Sequence, residues 1–111
     1  MLFPNPDVNV WLYNHPVDMR KQFDGLAALA QSKINKRVMD GSLFVFVNRR
    51  RTQIKVLYYS QGGLCLWSKR LERGTFHHLA GSDEILDLDW AKLQCLIAGI
   101  NWQKMRKNKR L

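Results

Sequence analysis

Two hydrophobic periods alternate along this chain, and each predicts a different kind of element. Residues 8–13 (VNVWLY) are rich in strand-forming side chains and predict a short edge strand. Further along, apolar residues recur every three or four positions, which is the spacing of one helical face. This stripe predicts a helix over residues 18–34 with Asp18 as its N-cap. Its apolar positions are Met19, Phe23, Leu26, Ala27, Ala30 and Ile34.

The period changes after Gly41, where three apolar runs of strand length follow one another. They cover residues 43–47, 54–59 and 64–71 and are separated by the turn sequences NRRRTQ and SQGG. The first run is apolar at every position, which favours a central strand covered on both faces. A fourth short strand is predicted to begin at residues 74–76.

A second helical stripe follows an acidic segment. The apolar residues recur at helical spacing, with Asp89 placed as the N-cap and Gly99 placed to end the helix. They are Trp90, Leu93, Leu96, Ile97 and Ile100. The pattern predicts an α+β fold, a three- or four-stranded antiparallel meander packed against an N-terminal and a C-terminal helix. We expect a single domain, 1–111, with a basic tail from about residue 101.

Composition narrows the class of protein. The chain has 111 residues, of which 46% are hydrophobic, so it can bury a core. Its longest uninterrupted apolar run spans residues 43–47, far short of the roughly 20 residues that cross a bilayer. We therefore expect a cytoplasmic protein that does not contact membranes. Cys65 and Cys95 lack metal-binding spacing and are predicted to be reduced thiols in the core.

The net charge of +9 is distributed unevenly. Residues 1–48 carry five basic and four acidic side chains, whereas residues 49–111 carry thirteen and five. Such an excess in one half of a chain favours an anionic partner, and nucleic acid fits better than a membrane because no basic amphipathic helix is present. A basic surface that serves only solubility is the alternative.

Enzymatic chemistry finds little support in the sequence. The predicted central strand, residues 43–47, carries none of the acids that two-metal catalysis needs. His77 and His78 are adjacent, so on a strand they would point to opposite faces and could not ligate one metal. We expect no catalytic residues, no metal and no cofactor.

Three groups of basic residues are the candidate nucleic-acid contacts. One lies at and after the predicted hairpin tip, one follows the third strand, and one forms the tail. They are Arg49, Arg50, Arg51 and Lys55; Lys69, Arg70 and Arg73; and Lys104, Arg106, Lys107, Lys109 and Arg110. Such side chains either contact DNA phosphates or keep the surface soluble, and the tail could instead dock a protein partner.

Three segments of the chain resemble a known family. They are residues 18–30 (DMRKQFDGLAALA), 41–59 (GSLFVFVNRRRTQIKVLYY) and 63–76 (GLCLWSKRLERGTF). They look like the signature blocks of the small TnpB-type accessory proteins of bacterial insertion-sequence family sixty-six. The resemblance implies a protein encoded beside a separate transposase, assisting transposition without carrying catalytic acids.

Two hypotheses follow. In the first, a non-enzymatic accessory protein contacts DNA at transposon ends through its basic residues and also contacts the transposase of the same element. In the second, the protein is an adaptor that binds the transposase and does not touch DNA. The sequence leaves base specificity and oligomeric state open.

Overall fold

A computed structural model describes residues 7–79, 81 and 83–99 of the chain. The strands are β1 (Val10–Tyr13), β2 (Leu43–Val47), β3 (Gln53–Ser60), β4 (Gly63–Arg70) and β5 (Ile85–Leu88). The helices are α1 (Phe23–Leu29), which continues as a π-helical turn over Ala30–Ile34, and α2 (Trp90–Ala98). A short 3₁₀ turn, Val38–Asp40, precedes β2.

The strands form one sheet in the order β4-β3-β2-β1-β5. The predicted meander is confirmed as β2, β3 and β4, which are antiparallel neighbours. The prediction of a central second strand is also confirmed, since β2 is the middle strand and all five of its residues are buried. The α+β class therefore holds, with a mixed five-stranded sheet in place of a simple meander.

The placement of the first strand corrects the sequence prediction. β1 is not an edge strand, because it lies between β2, to which it is parallel, and β5, to which it is antiparallel. The parallel pairing requires a crossover, and α1 supplies it on one face of the sheet. Its residues Val10, Leu12 and Tyr13 are buried, as expected of an interior strand.

The last strand was also misplaced in the sequence prediction. Residues 74–76 form no strand, and Phe76 instead anchors a loop over the sheet as a fully buried side chain. The fifth strand is β5, which lies in the acidic segment that showed no strand pattern. β5 is short, but all four of its residues pair with β1, and this pairing holds it in the sheet.

Side chains cover both faces of the sheet. One face packs α2 and the loop containing Phe76 against the inward residues of β1, β2 and β3. The other face packs α1 and its π-helical turn around Phe44, Phe46 and Leu57. Alternate residues of β2 serve the two faces, which explains why this strand is apolar throughout.

The first helix begins later than its hydrophobic stripe predicts. α1 begins at Phe23, and Asp18 is not its N-cap. The Asp18 carboxylate instead accepts hydrogen bonds from the backbone N–H and the guanidinium of Arg20, which holds residues 18–20 in a turn. The second helix matches its prediction, because the Asp89 carboxylate caps the N–H of Lys92 and Gly99 ends the helix in the left-handed conformation.

Candidate nucleic-acid interface

The tip of the β2–β3 hairpin is built around one asparagine. The Asn48 Oδ1 accepts hydrogen bonds from the backbone N–H groups of Thr52, at 2.9 Å, and Gln53, at 3.0 Å. The backbone carbonyl of Asn48 accepts a hydrogen bond from the N–H of Arg51 at 3.0 Å, which closes the turn. Arg49 and Arg50 occupy the apex of this turn, and both are exposed.

Arg51 has a different role from its two neighbours. Its backbone lies in the left-handed region at φ 59°, which turns the chain back into β3. Its half-buried guanidinium donates to the carbonyl oxygen of Phe76 at 2.9 Å and to that of His77. Burial lowers the pKa of this guanidinium, yet an arginine remains charged at neutral pH. Arg51 therefore clamps the hairpin tip to the loop that follows β4.

The end of β4 lies beside the same hairpin tip. Arg70 is paired opposite Gln53, and the next N–H, that of Leu71, donates to the carbonyl of Thr52 at 2.7 Å. The loop after β4 returns to the hairpin tip, where the backbone N–H of Phe76 donates to the backbone carbonyl of Arg51 at 2.7 Å. Arg73 lies between these two attachment points, so the loop brings it to the same end of the sheet.

Four exposed arginines thus converge on one end of the sheet from two segments of the chain. We call this surface the basic end; it consists of Arg49, Arg50, Arg70 and Arg73. Within the described part of the chain, none of their side chains makes a hydrogen bond or an ion pair. Their charges are therefore free to meet an anion.

Two further candidate cations are used inside the fold. Lys55 is only 4% exposed, and its Nζ donates to the carbonyl oxygens of Met19 at 2.8 Å and Lys21 at 2.9 Å. Lys69 is half-buried, and its Nζ donates to Ile97 near the end of α2 at 3.0 Å. The prediction that Lys55 contacts DNA does not fit this burial, and Lys69 is likewise committed to an internal bond. The sequence signal for a buried ammonium group was the position of Lys55 within the apolar run of β3.

The tail candidates cannot be placed on this surface. Residues 104, 106, 107, 109 and 110 lie outside the residues that the structure describes. The last described residue before them is Gly99, and its carbonyl oxygen lies 2.8 Å from the Nε2 of His77. Since His77 follows the loop at the basic end, the described part of the chain ends on that side.

Two acidic side chains at this end of the sheet contact basic residues. Asp18 lies 2.7 Å from Arg20, and hydrogen bonds from that arginine lower the pKa of the Asp18 carboxyl to about 2. Glu84, next to β5, lies 3.4 Å from the Nε2 of His15. Glu72 and Asp83 are also exposed at this end. The local charge remains positive, because the arginines at positions 49–51, 70 and 73 outnumber these four acids.

Other chemistry is sparse in the described residues. Over residues 7–79, 81 and 83–99, no three His, Cys, Asp or Glu side chains lie close enough to hold a metal ion. Cys65 and Cys95 are free thiols, and both are half-buried where the sequence predicted core positions. No helix in this part of the chain is long and apolar enough to cross a membrane.

Comparison with known proteins agrees with the resemblance noted in the sequence. Two uncharacterized proteins of Sinorhizobium fredii (strain NBRC 101917 / NGR234) are similar over most of their length. One, y4hO, is 35% identical over 93% of this chain and 90% of its own; the other, y4jC, is 28% identical over 96% and 92%. No solved structure matches. The family model described as IS66 Orf2 like protein matches residues 8–107, and the chain therefore belongs to this insertion-sequence family.

Proposed function

We propose that this protein is a non-enzymatic accessory factor for transposition of its insertion sequence, and that it binds DNA through phosphate contacts. Family membership supports an accessory role beside a transposase. The basic end supplies the DNA contacts, together with the five basic residues of the tail. The transposase of the same element is the proposed protein partner.

The convergence of four unpaired arginines carries this proposal. Two come from the hairpin apex and two from the loop after β4, and the Arg51 clamp holds these segments together. A surface that served only solubility would not need a fixed arrangement of the segments that bear its charges. Arginine also suits phosphate, because its planar guanidinium can donate two parallel hydrogen bonds to phosphate oxygens.

Salt dependence is the direct test of phosphate contact. Together, the four arginines of the basic end and the five basic residues of the tail can neutralise nine phosphates. The logarithm of the binding constant should therefore fall with the logarithm of salt concentration at a slope of about −8. We would measure it by fluorescence anisotropy with a labelled terminal-repeat duplex and a scrambled duplex. Tighter binding to the repeat would add base recognition to phosphate contact.

The basic end is tested by changing Arg49, Arg50, Arg70 and Arg73 together to Gln. The slope should fall to about −4.5, because only the tail contacts remain. A control removes four exposed cations elsewhere, at Lys21, Lys33, Arg37 and Lys92, and should keep a slope near −8. Equal losses in the two variants would mean that net charge, and not the basic end, governs binding.

An adaptor role is the competing outcome of the same experiment. If the full chain binds neither duplex at physiological salt but co-purifies with its transposase, its basic residues serve protein contact alone. In that case the four-arginine variant should weaken transposase binding more than its control variant does.

A further inference from the structure

A cleft opens between β1 and β2 at the basic end. Its volume is about 190 Å³. Leu12 and Val47 form its apolar floor, and residues 13–16 together with Asn48, Arg49 and Arg51 form its walls, with His78 at one side. Because β1 and β2 are parallel, both strands end here, and their chains diverge toward α1 and toward β3. In open parallel sheets, ligands bind beyond the carboxyl ends of strands whose connections diverge, and the parallel pair of β1 and β2 gives the cleft that position.

The cleft is lined with unused hydrogen-bond donors. Arg49 and His78 are exposed, and neither has a side-chain partner among the described residues. Arg51 uses its Nε–H and one Nη2–H on the Phe76 and His77 carbonyls, which leaves three of the five N–H groups of its guanidinium. Two cationic side chains and an imidazole therefore surround one concavity.

Several other polar groups of the cleft are engaged within the protein. The Asn48 Oδ1 accepts from Thr52 and Gln53 and its Nδ2 donates to the Thr52 hydroxyl, and the Asn14 amide donates to the carbonyl of Asp83 at 3.1 Å. His15 lies beside Glu84, with its ring 5.2 Å from that of Tyr13. These internal contacts hold the walls in place, so the donors of Arg49, Arg51 and His78 are presented from a fixed frame.

The size of the cleft selects the ligand. Sites for organic cofactors usually measure about 300–1,000 Å³, so this cleft is too small to enclose a nucleotide. It can admit one tetrahedral oxyanion, and guanidinium and imidazole groups are donors suited to phosphate oxygens. We propose that the cleft binds a single phosphate group of DNA and so fixes the position of the duplex on the basic end. This inference rests on the proposed function and gives it a specific anchoring site.

Inorganic phosphate is the first probe. In ¹⁵N-correlated NMR spectra of the full chain, phosphate should shift the amides of residues 14, 15, 48, 49, 51 and 78, while equal ionic strength of chloride should not. Arg49→Gln should weaken phosphate binding about fivefold or more, and His78→Gln should weaken it less. Arg50→Gln is the matched control, since Arg50 is adjacent and exposed but does not line the cleft. Its effect should stay within about twofold, because its charge acts on the cleft only through solvent and is screened by salt.

Two results would overturn the site. Shifts spread over every basic surface, or equal losses in the Arg49 and Arg50 variants, would mean general electrostatic attraction only. Spectra of both variants that are unchanged in phosphate-free buffer would confirm that each is folded. A variant that loses the native spectrum is replaced by Arg49→Lys, which should retain charge but weaken binding because it lacks the guanidinium fork.

DNA then tests the occupant. A duplex without terminal phosphates should displace inorganic phosphate from the cleft if the occupant is a backbone phosphodiester. Displacement only by a duplex bearing a 5′-phosphate would identify a strand end as the occupant. A duplex that binds the basic end without displacing phosphate overturns this inference and leaves the proposed function intact. Phosphate binding in the cleft with no duplex binding overturns the proposed function and the DNA assignment together, leaving an anion site.

Discussion

The basic side chains of this protein fall into two groups according to what they contact. Lys55, Arg51 and Lys69 donate to backbone carbonyls that belong to distant segments, whereas the arginines of the basic end meet solvent. A long aliphatic stem can be buried while its charged group reaches a carbonyl, and such charge-assisted bonds are stronger than neutral ones. Substitutions in the first group should therefore change stability, and those in the second should change binding.

Lys55→Met tests the first group. The substitution keeps the apolar stem but leaves the Met19 and Lys21 carbonyls without their donor, so we expect a loss of about 1–3 kcal/mol in the free energy of unfolding. Urea titration followed by tryptophan fluorescence measures it. Arg50→Met, at an exposed site, should cost less than about 0.5 kcal/mol. A Lys55→Met protein of normal stability that binds DNA more weakly would return Lys55 to the interface.

Asp18 gives a residue-scale prediction on pH. Its carboxyl should titrate at about 2 in the folded protein, well below the ordinary value of 3.8, because Arg20 donates to it through both side chain and backbone. A lowered folded-state pKa adds stability above the unfolded value and loses that contribution as pH falls toward the folded value. Carboxyl ¹³C shifts across the acid range would report the titration.

The causes of the Asp18 shift can be separated by substitution. Arg20→Gln should raise the Asp18 pKa toward its ordinary value, because the side-chain hydrogen bond is the largest cause of the shift. Lys21→Gln removes the same charge from the neighbouring residue and should raise the pKa less, since Lys21 acts only through space. An equal response to both would assign the shift to general charge and not to the Asp18–Arg20 bond.

At the scale of elements, α2 is fixed at both ends. Asp89 accepts from the N–H of Lys92 at 2.7 Å at the start, and Lys69 and His77 contact carbonyls at the end. A carboxylate at the N-terminus and a cation at the C-terminus both complement the helix dipole. Three contacts from outside the helix thus compensate for its length of nine residues, which is short for an isolated helix.

Asp89→Ala tests the cap. Loss of the carboxylate leaves the Lys92 N–H without its partner, so thermal unfolding should show a loss of about 1 kcal/mol. Asp89→Asn should retain most of the stability, because its side-chain oxygen can still accept. Asp87→Ala, an exposed acid on β5, is the control and should change stability by less than about 0.5 kcal/mol. A larger loss at Asp87 would mean that acidity in this segment, and not capping, stabilises the fold.

At the scale of the whole molecule, charge differs between the two ends of the sheet. The end opposite the basic end carries acidic and basic side chains together. The acids there are Asp7 before β1, Asp40 before β2, and Asp87 and Asp89 around the end of β5. A duplex approaching the protein therefore meets attraction at the basic end and a mixed field opposite it, which should orient the encounter.

The tail is the second electrostatic component of the whole molecule. Changing its five basic residues to Gln should reduce the salt slope from about −8 to about −3.6, leaving the contacts of the basic end. The salt titration described above measures it, with the four-arginine variant as the complementary arm. If the tail variant keeps the full slope, the tail does not contact DNA, and other cations of the protein must supply the phosphate contacts assigned to it.

Local sequence pattern was a good guide wherever neighbouring residues decide the structure. The three meander strands, the fully buried β2 and the caps of α2 all follow from spacing within about ten residues. The hairpin that carries Arg49 and Arg50 was predictable for the same reason. The candidate site was only partly predictable, because the sequence identifies a cation but not the carbonyl that lies within its reach.

Residue patterns along the chain are enough to predict the α+β class, the hairpin with its arginine apex, the excess of basic charge and the family. Long-range packing establishes that β1 is an interior strand, that β5 exists, and which cations remain free. The physical reason is separation along the chain: Lys55 bonds Met19 across 36 residues, and Arg51 bonds Phe76 across 25. Such partners are set by the packing of the whole chain, and no local period records them.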